Sequence, residues 1–309
     1  MSRTALLFAG QGAQYPGMGR ELYETYPVAR EVFEGAEEAC GLPLRQICFE
    51  ASHDELRRTE WTQPAILTVS LATWRVLEEH GLEADAALGL SLGEYGALVA
   101  AESLDWRTAI SLVRLRGRLM QEAVPEGTGG MLAILGMEDS VVEELCRQAP
   151  GLCEPANYNA PGQLVAAGTL PALDWLEQEV RRLGARSVRL SVSAPFHSSL
   201  LRPAGEALRP ALERADVREP HFPVIANLTA RPADAAGIVE TLVGQVSHPV
   251  RFADSLRYLL AEGFDQFVEV GPGRAQVGFL RRIDRDANTW VTDKLSDLAA
   301  TLDWVKEVC

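Results

Sequence analysis

The 309-residue chain has no apolar run approaching the roughly 20 residues needed to cross a bilayer. Its start, Met1-Ser2-Arg3-Thr4-Ala5-Leu6-Leu7-Phe8, runs straight into glycines and lacks the longer apolar stretch and cleavage site of a secretory signal. Cysteine is scarce: Cys40, Cys48, Cys146, Cys153 and Cys309 are odd in number and form no CxxC pair, which argues against a disulfide framework or a zinc site. Basic charge is short as well. Lys and Arg number 29 against 43 Asp and Glu, a net charge of −14, and no basic stripe carries interleaved aromatics, so nucleic-acid binding is excluded. Repeats and low-complexity tracts are missing too. The reading is a cytoplasmic, reduced protein that binds neither membrane nor nucleic acid. With 47% hydrophobic residues it can bury a sizeable core.

What is present is an α/β alternation. Thr4 to Ala9 reads as a buried strand ending in Gly10-Gln11-Gly12, and Ala86 to Leu88 as a second one ending in Gly89-Leu90-Ser91-Leu92-Gly93. Between them a helix is expected from Thr62, with Pro64 near its first turn, an apolar face of Leu67, Leu71, Trp74 and Leu77, and Gly81 as its stop. A small-residue helix runs from Glu94 to about Ala101, and Asp105 caps another that runs to about Ala123. Beyond the turn formers of 125–130 the order becomes βαββαβ: strands at Met131–Leu135, Glu154–Tyr158, Leu164–Ala167 and Ser187–Val192, helices at Asp139–Gln148 and Pro171–Leu183. That order is the ferredoxin-like pattern, and here it reads as an insertion. Past Pro195 the alternation resumes, with a helix over Ser199–Arg214, strands at Val224–Ala226 and Phe267–Val270, and a helix after Gly271-Pro272-Gly273.

Four features carry chemistry. In Gly89–Gly93 a sharp strand-to-helix turn needs small residues around its strained centre, lifts Ser91 Oγ clear of the sheet and aims the Leu92 N–H at any oxyanion formed there. A serine needs a base: His197 lies where the insertion returns to the main body, a cap explains His80 and solvent His53, while His221 and His248, near prolines, stay open. On the helix after Asp105, Arg116 has Leu112, Val113, Leu119 and Met120 at three and four residues, so it points inward. A buried guanidinium needs an anion, which is either a structural Asp or Glu or the carboxylate of a substrate. Finally, Gly10-Gln11-Gly12-Ala13-Gln14 lacks the third glycine and the acidic residue of a dinucleotide fingerprint, and its glycines instead let the Gln11 N–H approach a ligand. Gln63, just before a helix start, is equally a cap or a surface side chain.

Together these segments resemble the malonyl-CoA:acyl-carrier-protein transacylase family of bacterial type II fatty-acid synthesis. The resemblance spans Phe8–Gln14 with Gly17-Met18-Gly19, Thr62–Ala65, Gly89–Tyr95, Arg116-Gly117 with Met120-Gln121, Asn157–Gln163, Phe196-His197-Ser198 and Glu269–Gly273. It implies an α/β-hydrolase-like catalytic subdomain over 1–127 and 195–309 with a ferredoxin-like subdomain over 128–194. It implies Ser91 as acylated nucleophile, His197 as its base, the Gln11 and Leu92 amides as oxyanion hole, and Arg116 on the malonyl carboxylate, with Gln63, Phe196 and Leu90 in the pocket. The histidine should be oriented by backbone carbonyls, one from Pro249-Val250-Arg251. Leu90 departs from the family, which usually has histidine there. The implied partners are malonyl-CoA and acyl carrier protein, with no cofactor, and the resemblance suggests that the protein itself is a monomer. For an acidic partner, Arg181, Arg182, Arg186 and Arg189, or Arg281, Arg282 and Arg285, are the candidate contacts.

Overall fold

A computed structural model of the chain describes residues 2–125, 127–192 and 194–308. Among the described residues there are ten strands: β1 (Thr4–Phe8), β2 (Ala86–Gly89), β3 (Gly129–Leu135), β4 (Cys153–Ala160), β5 (Gln163–Thr169), β6 (Arg186–Arg189), β7 (Val224–Ala226), β8 (Arg231–Pro232), β9 (Gln266–Val270) and β10 (Asn288–Val291). They form two sheets, so the chain is a mixed α/β protein.

The larger sheet has the order β10-β9-β1-β2-β7-β8, parallel except for β8. Its central strands are apolar runs without alternation because helices cover both faces. Phe8 is in register with both Gly89 and Val270. The three strands therefore end together, and the loops that follow, 10–14, 90–93 and 271–273, share one rim. Such a rim, at the carboxyl ends of parallel strands, is where α/β sheets bind ligands.

The βαββαβ run is present as expected, folded into an antiparallel sheet of order β4-β5-β3-β6. Its two faces have different neighbours. Leu132, Ile134, Leu164 and Ala166 pack under helices Asp139–Gln148 and Leu170–Arg182. Met131, Ala133, Val165 and Ala167 turn the other way and join the core of the main body. The small sheet is tied to the main body through the isolated bridge at Val250: Tyr158 N donates to Val250 O at 2.9 Å and Val250 N to Ala156 O at 2.8 Å.

Several boundaries move. The helix expected from Thr62 starts at Thr59, so Pro64 lies inside it, and it is buried nearly all round because it crosses the middle of the helical layer. β6 stops at Arg189; Leu190 keeps one bond to β3, its N donating to Met131 O at 3.0 Å, and Val192 lies beyond the strand. The helix expected over Ser199–Arg214 is a single tight turn, Ser199–Leu201, followed by Arg202–Glu213, the break falling where Pro203 opens the α-helix. Asp105 does cap helix Trp106–Glu122, its Oδ1 accepting from Thr108 N at 2.9 Å.

Candidate active site

β2 ends at Gly89, and helix Gly93–Ala100 begins four residues later. A turn this tight places Ser91 in the left-handed region, at φ 56°, where a side chain is strained. The flanking glycines are sterically required. A Cβ on Gly89 would collide with the Gly93 backbone, and one on Gly93 with the Phe8 carbonyl. The strain is held by Asn227, whose Oδ1 accepts from Ser91 N at 2.7 Å while its Nδ2 donates to Gly89 O at 2.7 Å.

His197, also at positive φ (59°), comes to this turn from the end of the inserted unit. Its Nε2 is 2.8 Å from Ser91 Oγ, and its Nδ1 is 2.8 Å from the carbonyl of Gln245. A carbonyl only accepts, so the proton sits on Nδ1 and the Nε2 lone pair faces the serine. The carbonyl within 2.8 Å is therefore that of Gln245, with the His248 backbone also bonding to the ring. The 249–251 segment expected in that role is engaged elsewhere, the Val250 carbonyl with Tyr158 N and that of Arg251 with Ser255. Burial, helped by the Arg116 charge, pushes the imidazole down to about 3, so it is neutral near pH 7.

Arg116 is 1% exposed. Its Nη1 donates to Gln63 Oε1 at 2.7 Å, and its Nη2 to Gln245 Oε1 and Ser91 Oγ, both at 2.9 Å. Its Nε is buried without a partner, and among the described residues no carboxylate pairs with it. Of the two anions open to it from the sequence, the structural Asp or Glu is not in contact. Glu94 stands one residue behind: its Oε2 accepts from Gln245 Nε2 at 2.7 Å and from Asn227 N at 2.9 Å. Burial pushes this carboxyl up to about 7, against the pull of those two donors and of Arg116.

A cavity of about 100 Å³ opens over Ser91. Gln11, Leu90, Phe196 and His197 line it from the main body, and Met131 and Val165 from the inner face of the small sheet. Gln63 is corrected by the structure on both counts. It is neither exposed nor a cap, and it stands behind the cavity wall, bonded to Arg116 and, at 3.6 Å, to Met120 Sδ. The amides of Gln11 and Leu92 make no hydrogen bond among the described residues. Asn227, Gln245 and Glu94 are site residues that sequence reasoning missed, as are Asn157 and Asn159, which line the cavity.

The model of the acyl transferase domain matches residues 5–277. The malonyl CoA-acyl carrier protein transacylase of Bacillus subtilis is 39% identical, over 99% of this chain and 98% of its own. The crystal structure of malonyl CoA-acyl carrier protein transacylase from Clostridium perfringens superposes with a TM-score of 0.94 at 38% identity, covering 99% of this chain and 98% of that one. A malonyl-transacylase in complex with a type II PKS acyl-carrier protein gives a TM-score of 0.94 at 37% identity, covering 98% and 99%. With matches of this length and identity, the chain belongs to the malonyl-CoA:acyl-carrier-protein transacylase family.

Proposed function

We propose that the protein transfers the malonyl group of malonyl-CoA to the phosphopantetheine thiol of acyl carrier protein through an acyl-serine, and so supplies fatty-acid synthesis. The observation that carries this reading is Ser91 Oγ, held between a neutral imidazole and a buried guanidinium that has no bonded carboxylate. Ser91 attacks the thioester as His197 takes its proton, and the oxyanion sits between the Gln11 and Leu92 amides. Coenzyme A leaves with that proton; the carrier thiol, giving its proton to His197, then attacks the ester, the C–Oγ bond breaks, and the proton passes on to restore the serine hydroxyl. The chemistry calls for no cofactor. Leu90 and Phe196 shape the acyl pocket, Phe196 crowding an added methyl, and Gln63 acts on the substrate through Arg116.

The division into an α/β-hydrolase-like body (1–127 and 195–309) and a ferredoxin-like unit (128–194) belongs to the same reading, supported by the strand orders given above. Of the two arginine groups considered for the acidic carrier protein, the first is largely compensated. Arg182 pairs with Glu179, Arg189 with Asp174 and Glu177, and Arg181 with Glu177. Arg281, Arg282 and Arg285 pair with no carboxylate among the described residues, which favours that side for docking.

The test is the intact mass after incubation with malonyl-CoA. Wild type should gain one malonyl group, lose it to acyl carrier protein, and gain none as Ser91→Ala. Free malonate without discharge to the carrier would instead identify a hydrolase, the reading disfavoured by a histidine that faces a carbonyl and not a carboxylate. Leu90→His should leave turnover within about tenfold, about 1.4 kcal/mol of barrier, because His197 already supplies the base. A hundredfold gain measured in the coupled transfer assay would mean that Leu90 adapts the pocket to another acyl group.

A further inference from the structure

Gln245 makes every contact that a glutamine at this position can use. Its main-chain carbonyl accepts from His197 Nδ1 at 2.8 Å, and its side-chain Oε1 from Arg116 at 2.9 Å. Its Nε2 donates to Ser91 O at 3.1 Å and to Glu94 Oε2 at 2.7 Å. The two ends of an amide are not interchangeable here. Flipped, the NH₂ would meet the guanidinium donor to donor, and the oxygen would meet the Ser91 carbonyl and the Glu94 carboxyl. Glu94 is itself fixed by Asn227 N and sits on the first turn of the helix that leaves the elbow, so it moves with Ser91. Glu94, Asn227, Gln245 and Arg116 are each no more than 2% exposed, which denies water as a substitute partner.

Resting on the malonyl-transfer reading, we propose that Glu94 is a positioning residue: its Oε2 fixes the Gln245 amide, and through it the aim of Arg116 and His197. One residue thereby couples the acyl clamp to the base. What the position requires is an acceptor atom, not a charge. The carboxyl faces Arg116 from helix Trp106–Glu122, with Tyr95 beside it and His197 beyond Gln245, and burial pushes it up to about 7, so that both protonation states are populated at pH 7. A proton on the other oxygen leaves Oε2 free to accept.

Three variants test this. Glu94→Gln keeps an oxygen at the same reach and should retain kcat/KM and the preference for malonyl-CoA over acetyl-CoA within about threefold. Glu94→Ala removes the acceptor, and Glu94→Asp, which preserves charge and helix polarity should the alanine variant not fold, withdraws it. Both should lower kcat/KM for malonyl-CoA at least about tenfold, raise its KM, and shrink the malonyl preference by about as much. A readout independent of acyl chemistry is the His197 Nδ1–H proton resonance in labelled protein. It should persist in the glutamine variant and shift or broaden in the alanine or aspartate variant. Unchanged preference and resonance in the aspartate or alanine variant would overturn the proposal, as would equal losses in Gln and Ala. A wild type that takes up no malonyl group but shows the expected resonance pattern would instead overturn the transfer reading alone.

Discussion

His197→Ala should lower the rate of malonyl-enzyme formation by about 10²–10⁴-fold while leaving the KM for malonyl-CoA little changed. The serine then keeps Arg116 as neighbour and the free amides of the turn, but nothing takes its proton. Stopped-flow release of coenzyme A reads this directly. The same residue sets the pH dependence. Because its folded-state pKa is depressed, to about 3, the imidazole remains unprotonated as pH falls through the usual histidine range. The acylation rate should therefore stay flat between about pH 8 and 5, where a solvated histidine base would halve its rate near 6.5. Glu94 titrates in that window but retains its accepting oxygen, so it adds no inflection. A half-maximal rate near pH 6.5 would show that His197 is solvated in the working enzyme, or that another group is the base.

How much of this was legible in the sequence follows from the range of each interaction. The elbow is local: two glycines, a serine and a strand-then-helix pattern within nine residues of β2 were enough. Arg116 was legible because helical periodicity states which face a residue shares, whatever lies opposite. The βαββαβ unit was legible because each of its elements alternates or repeats within itself. Asn227, Glu94 and Gln245 were not, since nothing local distinguishes a polar residue that braces the strained turn from one in solvent. Asn227 reaches Ser91 across 136 residues and Gln245 reaches it across 154. The carbonyl that orients His197 fails for the same reason, because any residue could supply it. A different omission had a signal. Helices Arg20–Thr25, Pro27–Cys40 and Leu44–Glu50 went unassigned, although Ala29, Val32, Phe33, Ala36 and Cys40 repeat at helical spacing and are all buried. Their break at Gly41 and Pro43 hides the pattern from any longer window.

Arg116→Ala should remove the distinction between malonyl-CoA and acetyl-CoA. Arg116 Nη2 donates to Ser91 Oγ, so the guanidinium lies within reach of a group esterified there. Its present partners, Gln63, Gln245 and the serine, are neutral, and its Nε has none. The charge is thus buried without a bonded carboxylate among the described residues, and burial lowers the guanidinium's hold on its proton without bringing it near neutrality. Truncating one partner of a buried, hydrogen-bonded charge pair costs about 2–5 kcal/mol, so kcat/KM for malonyl-CoA should fall by about 30-fold to several thousandfold. Acetyl-CoA has no charge to lose and should fall far less, or gain, because the alanine variant no longer confronts it with an uncompensated cation. Thermal unfolding separates this from collapse of the site, since the variant relieves a buried charge even as it strands the Gln63 and Gln245 oxygens. Parallel losses with both thioesters would mean that Arg116 serves the serine itself, and that acyl selectivity is set by the apolar wall around Leu90 and Phe196.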